Sequence, residues 1–143
     1  MKDRRGFTLL EMLVVISILA LLSSLLLPNI SAVYQQKQLQ NAAVLLHSDL
    51  RWAQARAASQ QENIQVKFQK QGYQIINLDA EKEEIRTVVL PKQITIKHSS
   101  SIFFASAYEP NGNGHIVIGD ERKNYYVYYY KTGRIRLSQE ANS

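Results

Sequence analysis

One carboxylate stands where an apolar helix should carry none. From Phe7 to Leu27 the only interruptions of an apolar run are Thr8, Glu11, Ser17, Ser23 and Ser24. At about 1.5 Å per residue that run makes a helix of about 31 Å, one bilayer core. A carboxylate central in a spanning helix costs about 2.5–3.5 kcal/mol on insertion scales, less near an end, so Glu11 implies a positively charged partner. Lys2, Arg4 and Arg5 precede the run and would keep its start cytoplasmic. Between them and Phe7 stands Gly6, which has no side chain and lets the backbone lie extended. A cleaved secretory signal would have a shorter apolar region, about 7–15 residues, ending at small residues. A plain anchor would explain the topology but not Glu11.

The second candidate chemistry is basic and lies near the other end, in Gly133-Arg134-Ile135-Arg136. If Lys131-Thr132-Gly133 forms a three-residue hairpin loop with Gly133 left-handed, Tyr130 faces Arg134 and Tyr128 faces Arg136. A two-residue Thr132-Gly133 turn would instead set Tyr129 opposite Arg136. Both registers send the arginines outward, because Ile135 and Leu137 belong with Val127 and Tyr129 in the core. Lys131, Arg122 and Lys123 are expected nearby. Arginine neutralises phosphate and exposed aromatic rings stack on single-stranded bases, so the strip is a candidate DNA contact. A solvated edge hairpin, whose charges discourage edge-to-edge pairing, gives the same pattern.

Other chemistries find little support. The chain has no cysteine, which removes disulfides and thiolate sites. His47, His98 and His115 lack a metal spacing. Asn111-Gly112-Asn113-Gly114 with Asp120 and Glu121 departs from a calcium loop and reads as a turn. No catalytic residues, metal or cofactor are expected. A formal charge of +5 favours anionic partners.

The elements that must position these residues follow from periodicity. Leu39, Ala42, Ala43, Leu46, Leu50, Ala53 and Ala57 recur at three- and four-residue steps, one apolar helical stripe, while Gln38, Gln40, Asn41, Asp49 and Gln60 fall largely off it. The helix is expected to end near Ser59–Glu62. From Asn63 the period becomes two, and strands are expected over Ile64–Phe68, Tyr73–Leu78, Ile85–Leu90, Ile94–Lys97, Ile102–Phe104, His115–Ile118, Tyr125–Tyr130 and Arg134–Leu137. The expected class is α+β: a long N-terminal helix, transmembrane in its first half, packed on an antiparallel sheet. The chain then divides into 1–6, a leader; 7–27, a membrane and assembly helix; 28–62, its amphipathic continuation; and 63–143, the sheet domain.

Arg4-Arg5-Gly6-Phe7-Thr8-Leu9-Leu10-Glu11 resembles the signal of type IV prepilins and pseudopilins. The resemblance implies a cut between Gly6 and Phe7 by a prepilin peptidase and N-methylation of Phe7. It also implies that Glu11 neutralises the new amine of a neighbouring subunit during assembly. Pro28 stands where many pilins carry a helix-kinking proline. The later turns and the terminal Gly-Arg-x-Arg segment resemble the GspH/FimT minor-pseudopilin branch, to which the ComGD competence pseudopilins are similar. That resemblance implies a single-pass protein of the cytoplasmic membrane, leader inside and sheet domain outside, whose partners are other pilins in a type II secretion-type or competence filament. In FimT-type pilins the tail arginines contact DNA, which puts Arg134 and Arg136 forward for DNA uptake.

Overall fold

The computed structural model describes residues 8–79, 83–97, 100–105 and 110–139, and the side chains of these except 25–30 and 32. One helix, α1, runs Leu9–Gln60. Among the described residues eight strands follow: β1 Ile64–Gln69, β2 Gly72–Asn77, β3 Glu83–Val89, β4 Thr95–Ile96, β5 Ile102–Phe104, β6 Gly114–Gly119, β7 Asn124–Tyr129 and β8 Ile135–Ser138. The chain divides into two compact units, Met1–Lys37 and Gln38–Ser143.

In the second unit, α1 buries the stripe that its spacing announces. Leu39, Ala42, Ala43, Leu46, Leu50, Ala53 and Ala57 are all buried, and they share one core with residues of both sheets. The alanines thin that face so that sheet side chains can come close. The helix stops in a Schellman arrangement: Gln61 is left-handed (φ 56°), and the Glu62 N–H donates to the Ala57 carbonyl at 3.2 Å. A left-handed conformation costs an L-residue about 1–2 kcal/mol, part of which glycine would lose again as unfolded-state entropy. Gln61→Gly is therefore expected to stabilise the domain by roughly 0.5–1 kcal/mol, measured by denaturant titration; an unchanged midpoint would contradict this.

The strands alternate as period two requires. Ile64, Val66 and Phe68 of β1, Tyr73 and Ile75 of β2, and Tyr125, Val127 and Tyr129 of β7 point into the core. Where a single antiparallel sheet was expected, there are two, ordered β3-β2-β1-β5 and β4-β6-β7-β8. The switch occurs at Pro91. The Leu90 N–H donates to the Gln71 carbonyl at 2.8 Å, closing the β2–β3 pairing, and Pro91 has no N–H with which to continue a ladder. A turn from Ile94 N–H to Pro91 carbonyl (2.9 Å) then delivers β4 to β6, where Ile96 pairs with Ile118. Gly72 begins β2 pressed against β3: a Cβ there would lie 2.1 Å from the Val88 carbonyl oxygen.

Asp49 is a correction to the helical pattern. Rather than lying off the stripe, it is buried. Its Oδ2 accepts the Tyr73 hydroxyl at 2.7 Å, and its Oδ1 accepts Arg86 Nη1 at 2.6 Å. One carboxylate thus ties α1 to β2 and β3. Burial first, then the hydrogen bond to Asp49 and its negative charge, raise the Tyr73 phenol far above its ordinary pKa.

Candidate functional sites

Two regions carry the candidate chemistry, one in each unit. In the first unit, α1 starts at Leu9, and Thr8 is its N-cap. The Thr8 carbonyl accepts the Met12 N–H (3.2 Å), and Thr8 Oγ1 accepts the Glu11 N–H (3.3 Å). Thr8 and Glu11 thus stand at the spacing of a capping box, with an acid in the first turn where the helix dipole favours it. The described side chains from Leu9 to Ser24 are exposed on every face, with Leu9 at 83% and even Val15 at 43%. A helix apolar all round is one that buries itself in something else. Its hydroxyls already suit an apolar medium: Ser17 donates to the Leu13 carbonyl (2.8 Å), Ser23 to Leu19 (2.8 Å) and Ser24 to Leu21 (2.7 Å). Glu11 is the exception, an exposed carboxylate that no described residue pairs.

Gly6 and Phe7 lie outside the described residues, as do the side chains at 25–30, so the expected 7–27 span is described only in part. Among the described residues no helix is long and apolar enough to cross a membrane. Position 28 falls within α1 and not at its end.

In the second unit, β7 and β8 form the basic hairpin, in the three-residue register. Tyr128 pairs with Arg136 and Tyr129 with Ile135. The Tyr130 N–H donates to the Arg134 carbonyl (3.0 Å) and the Gly133 N–H to the Tyr130 carbonyl (2.8 Å). Gly133 takes φ 81°, the left-handed angle that lets this loop close, and the pairing of Tyr128 with Arg136 excludes the two-residue alternative. Ile135 and Leu137 pack against the core, while Arg134 and Arg136 are exposed. On the arginines' face Tyr126 stacks on Tyr128 (centroids 6.2 Å apart, 21° between planes), and His115 tilts against both at 6.1 and 5.6 Å. Under this packing Tyr128 is buried and Tyr126 half-buried, so the rings are not the exposed strip that the sequence led us to expect. Tyr129 points the other way, and burial raises its phenol pKa.

Helix and neighbouring turn hold this hairpin in place. Gln54, itself buried, donates to the Gly133 carbonyl at 2.7 Å, and His47 Nε2 lies 3.4 Å from the Ile135 carbonyl. The Lys131 N–H donates to Asn113 Oδ1 at 2.6 Å, so the Asn-Gly-Asn-Gly segment braces the loop. The expected cluster of five basic residues does not form. Lys131, Arg134 and Arg136 gather at one end of β7. Arg122 and Lys123 sit in the turn at its other end, where Asp120 Oδ1 accepts both their N–H groups at 2.8 and 2.7 Å. Six residues of strand separate the two groups by roughly 20 Å. Sequence reasoning passed over Thr8, Asp49 and Gln54, although Thr8-x-x-Glu11 is a legible cap and positions 49 and 54 flank the stripe.

The comparisons with known proteins agree with this geometry. Residues 1–27 match the family model of the prokaryotic N-terminal methylation motif. Over 141 residues the chain is 26% identical to competence protein ComGD of Bacillus subtilis, covering 98% of this chain and 97% of that protein. The fold matches the type IV minor pilin FimU of Pseudomonas aeruginosa (TM-score 0.61, 19% identity, 73% of this chain and 90% of that one). It also matches the minor pseudopilin EpsH of the Vibrio cholerae type 2 secretion system (TM-score 0.61, 13% identity, 71% and 97%). These matched structures are pilins and pseudopilins, and they share with this chain a long helix laid on antiparallel strands. The methylation motif, the relative matched over nearly its whole length and the fold together support the reading of the chain as a type IV pilin-like minor pseudopilin.

Proposed function

We propose that the chain is made as a precursor, cut by a prepilin peptidase between Gly6 and Phe7, methylated on Phe7, and drawn from the membrane into a competence filament. The observation that carries this is the methylation motif running directly into a helix that is apolar all round, with its serines satisfied internally and Glu11 exposed one turn in. The basic leader stays cytoplasmic, Phe7 to Leu27 crosses the cytoplasmic membrane, Pro28 bends the helix beyond it, and the sheet domain works outside. Glu11 neutralises the amine of Phe7 on a neighbouring subunit. Competence is preferred to secretion because the full-length relative is a competence protein. The role is structural, with no reaction catalysed. Mass spectrometry of protein from cells with an active prepilin peptidase should show an N-methyl-Phe7 terminus; an intact Met1 terminus there would overturn the processing.

A second role rests on the hairpin. Arg134 and Arg136 stand exposed beside the Tyr126–Tyr128 stack, with Lys131 at the same end. This face suits single-stranded DNA chiefly through phosphate neutralisation by the arginines, with the half-buried Tyr126 as the ring within reach. A soluble fragment starting near Ser31 should shift single-stranded DNA in a salt-sensitive manner. Arg134→Ala with Arg136→Ala should weaken binding tenfold or more and flatten the salt slope by about 1.4, two contacts at roughly 0.7 each. No shift at low salt would remove this role and leave the filament subunit.

A further inference from the structure

We propose that Asn111 is a site of spontaneous deamidation, while Asn113, in the same sequence context, is held back by the fold. The segment Asn111-Gly112-Asn113-Gly114 twice sets an asparagine before a glycine. Glycine has no side chain to hinder attack by its own nitrogen on the preceding amide, and it allows the backbone angles that ring closure needs. In the reaction the glycine nitrogen bonds to the asparagine Cγ, the bond from Cγ to Nδ2 breaks, and Nδ2 leaves as ammonia with the proton from that nitrogen. Water then opens the cyclic imide at either carbonyl, giving aspartate or isoaspartate. The sum is one water in and one ammonia out, with no oxidant or reductant. It needs a glycine nitrogen free to lose its proton and turned towards Cγ.

By sequence the two pairs are equal, and the fold separates them. Gly114 opens β6 opposite Tyr129 of β7. Further along that ladder the Asp120 N–H donates to the Lys123 carbonyl at 3.0 Å, and the alternation of an antiparallel pair makes Gly114 and Tyr129 a hydrogen-bonded couple. The Gly114 nitrogen is thus committed to the sheet. The Asn113 side chain is committed too, since its Oδ1 accepts the Lys131 N–H at 2.6 Å. Gly112 lies in a bend outside the strands, and its N–H makes no hydrogen bond among the described residues. A Cβ built on Gly112 would meet nothing within 4 Å, so the space around this nucleophile is open. Asn111 is exposed, and its Oδ1 accepts a longer hydrogen bond, 3.3 Å from the Phe103 nitrogen. The isoaspartate product would lengthen the backbone by one methylene between the pairing of Asn111 with Phe103 and the Asn113 brace of the hairpin loop. It would also place a negative charge two residues from that brace.

The test ages the full chain in detergent at mildly alkaline pH, folded and in denaturant, and follows both asparagines by peptide mass mapping with isoaspartate detection. In denaturant the two should convert at similar rates. In the folded chain Asn111 should convert at least about tenfold faster than Asn113, the equivalent of about 1.4 kcal/mol for opening the Gly114 hydrogen bond before attack. Asn111→Gln, whose longer side chain closes the ring far less readily, should abolish the fast release of ammonia and leave the slow one. Equal rates in the folded chain, or faster loss at Asn113, overturn the proposal. So does survival of both over a time in which the denatured chain converts, because the fold would then shield Asn111 as well. Fast ammonia release that persists in Asn111→Gln also overturns it, since the source would lie elsewhere in the chain.

Discussion

Glu11→Ala is expected to be cut and methylated normally, yet to enter filaments at least tenfold less often than wild type. In the processing proposed above, cleavage exposes a positive amine on Phe7, and assembly would move that amine into surroundings made of apolar helices. A charge stranded there costs up to about 2.5–3.5 kcal/mol, less near a helix end, and a carboxylate from the next subunit offsets much of it. Within the described part of α1, Glu11 is the side chain suited to supply this, because the serine hydroxyls are spent on helix carbonyls. Glu11→Gln separates charge from shape: it keeps the length and loses the ion pair, so it should fail nearly as badly. The measurement is the fraction of processed subunit in sheared filaments, or crosslinked to neighbouring subunits. Wild-type incorporation of Glu11→Ala would remove the charge-pairing role.

The second large effect lies in the sheet domain. Asp49→Ala should destabilise a fragment starting near Ser31 by about 2–3 kcal/mol. Breaking a fully buried ion pair costs about 3–5 kcal/mol, but Arg86 is 46% exposed and can turn to water, which lowers the figure. What remains is mainly the Tyr73 hydroxyl, buried and left without an acceptor. For a domain near 100 residues this lowers Tm by roughly 10 °C or more. Tyr73→Phe added to Asp49→Ala should cost little beyond Asp49→Ala alone, since each removes the same hydrogen bond. Additive losses would mean that the two side chains act independently.

What the amino-acid sequence discloses divides along local and non-local lines. The stripe from Leu39 to Ala57 is a property of neighbours on one helix, and every member is buried. The β7–β8 register was legible only as two alternatives, since a left-handed Gly133 serves either turn and the strand pairing decides between them. The division into two sheets was not, since which strand β4 joins depends on partners far along the chain. Arg122 and Lys123 were grouped with Lys131 by proximity in sequence, while a strand holds its two ends apart. Asp49 illustrates a different failure. Its position sits between Leu46, Leu50 and Ala53, but a carboxylate reads as solvated until Tyr73 and Arg86, from other strands, are seen around it. The cap at Thr8 was spelled out in four consecutive residues and overshadowed by the apolar run that contains it.

The side chains with which α1 reaches the rim of β8 have a consequence for growth. Ile135 and Gly133 present backbone oxygens that another chain's strand could otherwise recruit, and His47 and Gln54 already occupy them. At the opposite sheet's rim, β3 carries Glu83, Glu84 and Arg86. A neighbouring strand would therefore meet occupied carbonyls where β8 begins and charged side chains along β3.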